Sequence, residues 1–313
     1  MTQSKVLVTF GDPNGIGPEI AIAAAAQLAG EGRVAPILVG DEHVAEKAAQ
    51  WIGADLSALD MIDVGALAPG DHVPGHPTPA SGRATVRYLE AALDAVETTG
   101  AIGVVGCPHS ETAINASGRP FSGYPNLLAE LRGGGPDSVV LMLVGGGLRV
   151  AHVTLHEPIR KALDRITPEL IAQTIRITDK GLKRLGIDVP RIGVMGFNPH
   201  AGEGGLFGDE DDRLVKPAVE NALSDGIDVI GPEGADLLLG RQDVDAFVAL
   251  YHDQGHIPVK LLAGREISAL SLGSDVLFSS TGHGAAFDIA GQGKASHAAV
   301  LRAARIVGGA DGV

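Results

Sequence analysis

The chain contains very little of several features that define whole classes of protein. It has one cysteine, Cys107, in 313 residues, which excludes an intrachain disulfide and a cysteine-based zinc site. No uninterrupted apolar run approaches the roughly 20 residues that cross a bilayer, and the N-terminus lacks the basic start and longer apolar run of a signal peptide. We therefore expect a cytoplasmic protein without a membrane partner.

Basic residues are also scarce. The 24 lysines and arginines face 38 aspartates and glutamates, for a net charge of −14, which argues against nucleic acid or an anionic membrane as a partner. An anionic small substrate would therefore need a locally basic site. The hydrophobic content of 45% and the 44 glycines suit a compact α/β protein with many tight turns.

Common nucleotide-binding motifs are missing as well. The turn GDPNGIG, residues 11–17, lies between a predicted strand and a predicted helix but lacks the GK[ST] ending of a P-loop. It also fails G-x-G-x-x-G, since Pro18 and Glu19 follow Gly17, and the glycine cluster at 202–208 fails the same spacing. A dehydrogenase with this sequence would not use the Rossmann fingerprint.

Short apolar runs alternate with alanine-rich helical patterns, which indicates an α/β fold with a mixed, largely parallel sheet. The predicted strands are 5–10, 35–40, 102–108, two strands within 138–155 joined at Gly145-Gly146-Gly147, 191–198, 247–252 and 275–280. The predicted helices are 18–30, 42–53, 83–100 and 167–186. The segment 256–280 and the glycine turn favour some antiparallel pairing.

Three histidines stand in distinctive contexts: His156 in VAHVTLHEPIR, His200 in GFNPHAGEGG and His252 in YHDQGHIPVK. Each ends or follows an apolar run, where an open α/β sheet forms its ligand crevice. Three neutral imidazoles can hold a divalent ion and leave positions open for a substrate. Asp253 is a candidate to orient an imidazole or to cap the next turn. The pattern indicates a metal-assisted enzyme, with a metal-dependent hydrolase and a non-catalytic anion-binding protein as the alternatives.

The remaining histidines have simpler interpretations. His152 alternates with Val150 along a predicted strand, which favours a sheet or core histidine. Four more histidines lie in polar or irregular segments and are interpreted as surface or turn histidines: His43, His72, His76 and His297.

Beyond these patterns, the chain resembles the 4-hydroxythreonine-4-phosphate dehydrogenase family from about residue 5 to residue 305. The segments that carry the resemblance are GDPNGIGPEI, LRVAHVTLHEPIR, NPHAGEGGLFG, GPEGADLLL, YHDQGHIPVKLL and GHGAAFDIAG. The resemblance implies two α/β/α domains like those of isocitrate and isopropylmalate dehydrogenases, with the active site in the interdomain cleft. We place the domains at 1–130 plus 281–313 and at 131–280. It also implies a homodimer whose active site is shared between the subunits.

The resemblance further implies the cofactors. A divalent metal would be held by His156, His200 and His252, with zinc as the first candidate and magnesium, manganese or cobalt left open. NAD would bind without a Rossmann motif at a loop near the end of the chain, and NADP stays open. The residues of that loop are Thr281, Gly282, His283, Gly284 and Asp288.

Several positions depart from the family's phosphorylated-substrate enzymes. Where those enzymes carry Gly-His-Thr-Glu, this chain has Gly-Tyr-Pro-Asn at 123–126, and Ala269 and Phe278 replace a substrate asparagine and an arginine. A phosphate dianion normally needs arginine or several donors, so these changes favour a flatter, partly apolar substrate. The chain is similar to the branch that oxidises carboxylated cis-dihydrodiols, which implies NAD-linked oxidative decarboxylation to a catechol. A phosphorylated hydroxy-amino acid or sugar acid is the alternative substrate.

The predicted substrate contacts follow from that interpretation. Lys260 is retained and is expected to contact a carboxylate or transfer a proton, and Asp253 is the other candidate proton relay. Amides at the start of a helix near Pro125 could receive a distal carboxylate. The full set predicted for substrate binding is His109, Ser110, Tyr124, Asn126 and Lys260. Cys107 is interpreted as a small buried hydrophobic residue.

Overall fold

A computed structural model describes residues 3–264 and 267–310 of the chain. They divide into two compact units: residues 3–123 with 275–310, called the first unit, and residues 124–264 with 267–274, called the second unit. The domain limits inferred from the sequence, at 130 and 280, stay a prediction. Residues 1–2, 265–266 and 311–313, which fall within those predicted domains, lie outside the described residues.

The described strands, in chain order, are β1 (Ser4–Thr9), β2 (Val34–Gly40), β3 (Asp60–Asp63), β4 (Ala101–Gly106), β5 (Val140–Gly145), β6 (Leu148–His152), β7 (Ile192–Met195), β8 (Val229–Glu233), β9 (Ala246–Ala249), β10 (Ser268–Leu272) and β11 (Leu277–Thr281). The described α-helices are α1 (Gly17–Glu31), α2 (Glu42–Ile52), α3 (Pro79–Thr99), α4 (Glu111–Ala116), α5 (Tyr124–Leu131), α6 (Ile159–Arg165), α7 (Pro168–Arg184), α8 (Lys216–Ser224), α9 (Ala235–Leu238), α10 (His252–Ala263) and α11 (Ala298–Val307). None of the described helices is both long enough and apolar enough to cross a membrane.

The fold is α/β with a mixed, mostly parallel sheet, as predicted. In the first unit the strand order is β3-β2-β1-β4-β11, and neighbouring strands run parallel. In the second unit the order is β10-β5-β6-β9-β7-β8. There β5 pairs antiparallel with both β10 and β6, while β6, β9, β7 and β8 run parallel.

Local sequence signals account for several element ends. The predicted hairpin is confirmed, since β5 and β6 are joined by Gly146 and Gly147 with φ of 59° and 80°, a region that glycine enters without strain. Helix α3 begins at Pro79, four residues before the predicted start, because Thr78 and Ser81 form a reciprocal capping box. Helix α7 begins after Thr167, whose hydroxyl accepts a hydrogen bond from the Leu170 amide.

Several predicted strands extend beyond the observed ones, among them 191–198, of which only Ile192–Met195 forms β7. The segment 247–252 was expected to be a strand up to His252, but β9 ends at Ala249 and His252 opens α10. The side chain of Gln254 explains the change, because its oxygen accepts from the Leu250 amide at 2.7 Å and its nitrogen donates to the Gly196 carbonyl at 2.8 Å. These bonds hold the first turn of the helix against the strand ends.

Candidate active site

Neighbouring parallel strands bring two of the predicted histidines together. His152 on β6 lies opposite Ala249 on β9. The chain beyond the strands stays paired, with Val153 N donating to the Ala249 carbonyl at 2.9 Å and Thr154 Oγ1 to the Leu250 carbonyl at 2.8 Å. Both segments therefore leave the sheet at the carboxyl ends of adjacent strands, where ligands of α/β proteins bind. The rings of His156 and His252 lie 5.3 Å apart, centroid to centroid.

Asp253 contacts the imidazole of His252. Its Oδ1 lies 2.7 Å from Nδ1 of His252. When the carboxylate accepts this hydrogen bond, Nδ1 carries the proton and the lone pair lies on Nε2. A carboxylate in this place fixes the ring orientation and tautomer of a metal-binding histidine. The contact agrees with the orienting role predicted for Asp253, which itself stays a prediction.

A third imidazole in this group was not predicted from the sequence. His256 is 5% exposed, lies four residues after His252 on α10, and stacks on its ring at 3.7 Å with an angle of 16° between the planes. One nitrogen each of His156, His252 and His256 lies within 4.8 Å of the others. The His-x-x-x-His spacing at a helix start was the sequence signal that could have identified it, because residues four apart share a helix face.

Behind His256 lies His152, which is 2% exposed and is a sheet histidine as predicted. Its Nδ1 is 3.2 Å from the Leu141 carbonyl oxygen and its Nε2 is 3.0 Å from Nδ1 of His256. Burial is the main cause that lowers the pKa of His152 to about 4 and the pKa of His256 to about 2. Both rings are therefore neutral near pH 7.

A cavity of about 250 Å³ borders this histidine group. It is lined by Leu155, His156, Glu157, Ile159, Ala162, Tyr251, His252 and Asp253. Lys260 is exposed on α10, one helical turn beyond His256, and its charge contributes to the lowered pKa of that histidine. The lysine lies on the same helix as His256, close enough to act electrostatically on the group.

His200 is not part of this group. It lies in the short turn Pro199–Gly205 with φ of 55°, and its side chain is 61% exposed with Nδ1 3.6 Å from Glu203 Oε2. Both oxygens of Asp211 anchor the preceding chain by accepting from the Phe197 and Asn198 amides. The structure therefore brings two of the three predicted ligands together within one chain and presents the third outward.

The residues predicted to bind substrate fall in both units. In the first unit, Ser110 is the N-cap of α4 and accepts from the Ala113 amide at 3.1 Å, while His109 packs edge-on against Phe121 at 5.0 Å. In the second unit, Tyr124 is 3% exposed and is itself the first residue of α5, one position before the predicted start.

Three more positions from the substrate argument are Asn126, Ala269 and Phe278. Asn126 is exposed on α5. Ala269 is 6% exposed in β10, and Phe278 is fully buried in β11, so its ring is part of the first unit's core. The apolar surface that Phe278 was expected to offer a substrate is therefore absent from this structure, because packing covers the ring.

In the first unit, the predicted cofactor loop folds onto the GDPNGIG turn. Ile16 N donates to the Ala285 carbonyl at 2.9 Å, and the carboxylate of Glu19 accepts from the amides of Gly291 and Gly293. Within the loop, Thr281 Oγ1 donates to the His283 carbonyl at 3.2 Å. Among the other predicted residues, Gly282, Gly284 and Asp288 are exposed, and a Cβ at Gly284 would meet open space. The loop backbone is thus accessible to a ligand.

The chain is similar to known proteins over nearly its whole length. The family described as pyridoxal phosphate biosynthetic protein PdxA matches residues 21–307. A 1,2-dihydroxy-3,5-cyclohexadiene-1,4-dicarboxylate dehydrogenase from Comamonas sp is 45% identical, with 98% of each chain covered. A 4-hydroxythreonine-4-phosphate dehydrogenase from Geobacter metallireducens is 38% identical, with 97% of this chain and 96% of that protein covered.

Solved structures agree. A terephthalate 1,2-cis-dihydrodiol dehydrogenase from Burkholderia xenovorans LB400 is 47% identical, with a TM-score of 0.73 and 98% of each chain covered. A β-decarboxylating dehydrogenase from Thermococcus kodakarensis, at 14% identity and a TM-score of 0.51 over 97% of this chain and 82% of that one, shows the predicted likeness of fold alone. Its motifs, its fold and these relatives show that the chain belongs to the PdxA family.

Proposed function

We propose that this protein is a metal-dependent, NAD-linked dehydrogenase that oxidises and decarboxylates a carboxylated aromatic cis-dihydrodiol. The proposed reaction converts terephthalate cis-dihydrodiol and NAD into 3,4-dihydroxybenzoate, CO₂ and NADH. The observation that carries the proposal is the pair His156 and His252, held beside a cavity with Asp253 bonded to His252. The names of the 45% and 47% identical relatives support the substrate class.

The donor set fits a divalent cation. His156 and His252 supply imidazole nitrogens within one chain, and Asp253 leaves Nε2 of His252 available for a metal. Zinc is our first candidate, since imidazole ligands suit it, with magnesium, manganese and cobalt as alternatives. When bound, the cation would act as a Lewis acid toward the substrate's C2 hydroxyl.

The chain's own residues bind and position the substrate. Lys260 would pair with a carboxylate or move a proton, since it lies on the same helix as His252 and is exposed. Bound NAD would be the hydride acceptor, and we place it at the loop whose glycines Gly282 and Gly284 are exposed. Loss of hydride from C2 leaves a ketone β to the C1 carboxylate, so departure of CO₂ and tautomerisation give an aromatic catechol.

The substrate preference follows from what the site lacks. Tyr124 and Asn126 stand where phosphorylated-substrate enzymes have histidine and glutamate, and Phe278 replaces an arginine. Loss of an arginine removes a bidentate partner for a dianion. We therefore place two carboxylates, rather than a phosphate, at the ends of the substrate.

Completion of the metal site requires a second copy of the chain. His200 is exposed and lies outside the histidine group, so we propose that the partner in a homodimer receives it. Three exposed apolar side chains on α10 favour an interface beside the site: Ile257, Leu261 and Leu262 at 51%, 79% and 64% exposure.

A mixing experiment tests the shared site. His200→Ala and His252→Ala should each be inactive alone, but subunit exchange should restore about a quarter of wild-type activity, because half of the dimers then contain one intact site. Sedimentation should show the dimer. No recovery from exchanged heterodimers would show that all the ligands come from one chain.

The function itself is tested with a substrate panel. Terephthalate cis-dihydrodiol, an isophthalate-derived dihydrodiol and 4-hydroxythreonine 4-phosphate are offered with NAD or NADP, and reduced cofactor and CO₂ are measured together. We expect equal amounts of NADH and CO₂ with the first substrate. Turnover of the phosphorylated substrate alone would instead favour the vitamin precursor dehydrogenase activity, and metal-dependent turnover without NADH would indicate a hydrolase.

A further inference from the structure

Two buried histidines that the proposed mechanism does not use lie directly behind His252. His152 is 2% exposed on β6 and His256 is 5% exposed on α10, and they are joined by the 3.0 Å contact between Nε2 of His152 and Nδ1 of His256. Gly255 permits this approach, since a Cβ there would lie 2.3 Å from Nε2 of His152. The packing of helix and strand is thus built around the pair.

The direction of the hydrogen bonds fixes both tautomers. The Leu141 carbonyl can only accept, so Nδ1 of His152, 3.2 Å away, carries the proton. Burial disfavours a doubly protonated ring, so Nε2 of His152 accepts and Nδ1 of His256 donates. The lone pair of His256 is therefore on Nε2.

His256 belongs to a group of imidazoles in which His252 has the same hydrogen-bond arrangement. His252 and His256 each have Nδ1 engaged by a neighbouring residue, Asp253 in one case and His152 in the other. These two histidines are separated by four positions on α10. Together with His156 they offer nitrogens within 4.8 Å of one another. An outer hydrogen bond on one ring nitrogen and a free lone pair on the other is the usual state of a metal-binding histidine.

We propose that His256 is an additional ligand of the cation bound by His156 and His252, and that His152 is a positioning residue that holds His256 in its ligating tautomer. The inference depends on the metal site proposed above. One chain then supplies three imidazoles, and the protomer binds metal before the partner's His200 is added.

Metal titration of the full-length protein tests both roles without an activity assay. Zn²⁺ and Co²⁺ are titrated by calorimetry, and the visible absorption of bound Co²⁺ reports the ligand set. His152→Leu should weaken binding by about 10- to 100-fold, as loss of an outer hydrogen-bond partner does. His256→Ala should weaken it further and change the Co²⁺ spectrum. His152→Gln, whose amide oxygen can still accept from Nδ1 of His256, should recover most of the loss.

Controls separate this inference from the proposed function. His76→Ala, a change at an exposed histidine of the first unit, should bind as wild type does. If His156→Ala and His252→Ala also bind as wild type does, the proposed metal site is wrong. If those two lose binding while His256→Ala or His256→Gln keeps the wild-type affinity and spectrum, only the role of His256 is overturned. Wild-type affinity in His152→Leu overturns the positioning role, and thermal unfolding without metal identifies any variant that does not fold.

Discussion

The GDPNGIG turn of the first unit and the histidine group of the second are both rich in polar contacts, but the contacts differ in kind. In the turn and the start of α1 that follows it, buried side chains bind the main chain: Asn14 Oδ1 accepts from the Val73 amide, and Glu19 accepts from two glycine amides. In the histidine group, side chains bind each other, and His156 and Asp253 are exposed. The first network supports a loop, whereas the second is the one that we propose to present lone pairs to a metal ion.

The difference predicts where substitutions act. Changes in and beside the turn should alter the free energy of unfolding and leave metal affinity unchanged, because these side chains are buried and bonded within the fold. Changes in the histidine group should do the opposite. Each of the following experiments therefore measures one or both of these quantities.

The largest effect is expected for His156→Ala. Loss of a proposed ligand should lower kcat/KM at least 100-fold, about 3 kcal/mol of transition-state stabilisation. The side chain is exposed, so the free energy of unfolding of the metal-free protein should change by less than about 0.5 kcal/mol. Steady-state kinetics and urea unfolding check the two values, with His76→Ala as the matched control. A large loss of stability would show that the histidine group is structural.

Asp12 predicts a pH effect on stability. Burial, the largest cause, raises the pKa of this fully buried carboxyl from 3.8 to about 6. Between these values the unfolded chain loses the proton while the folded chain keeps it, so stability falls as pH rises. In Asp12→Asn the side-chain oxygen can still accept from the Asn14 amide, and the side-chain NH₂ can donate to Ser81 Oγ. The substitution should therefore remove a penalty of about 2 to 3 kcal/mol that develops from pH 4 to pH 7.

The measurement is urea unfolding of both proteins at several pH values. The free energy of unfolding of the wild type minus that of the variant should decrease from pH 4 to pH 7. Contributions from other titrating groups cancel in this difference. Parallel curves would show that Asp12 has an ordinary pKa in the folded chain.

Asp253→Ala should weaken metal binding by about 10- to 100-fold, or about 1.4 to 2.7 kcal/mol, because His252 loses the partner that fixes its tautomer. Calorimetric titration with Zn²⁺ measures the change. Asp188→Ala, at an exposed aspartate in a loop of the same unit, is the control. Equal affinities for the two variants would mean that the 2.7 Å contact does not orient the ligand.

The smallest effect is expected for Glu19→Gln. The carboxylate accepts from two amides, and an amide side chain can accept only one of them well while its NH₂ faces the other donor. Unfolding free energy should fall by about 1 to 2 kcal/mol, with metal affinity unchanged. Urea unfolding and a Zn²⁺ titration give both values. A changed metal affinity would break the contrast between the two networks.

Sequence patterns predicted the fold class and several of the longer helices and strands. The predicted helix 167–186 is observed as α7, and Thr167 caps its start, since capping and hydrophobic periodicity are local properties. The antiparallel pairing at the Gly146 turn is likewise local. The start of α10 was missed because it depends on Gln254, which bonds to Gly196, 58 residues away in the chain.

For the site, local sequence marked His156 and His252 as unusual, and spacing alone allowed His256 to be an ordinary core residue. Only the pairing of β6 with β9 shows that His152 and His256 meet. His72, interpreted as a surface or turn histidine, is 6% exposed. Its burial could not be predicted from local sequence, because the loop beside it is held by a long-range contact. The Val73 amide donates to Asn14 Oδ1, 59 residues away in the chain.

The amino-acid order by itself determined the α/β class, the family and the segments that carry chemistry, because these depend on periodicity, turn residues and short motifs. The tertiary structure decided which imidazoles lie together: it placed His256 beside His156 and His252 and left His200 at the surface. The reason is geometric, since parallel strands and the first turn of a helix set distances between residues about a hundred positions apart, and no local pattern encodes such distances.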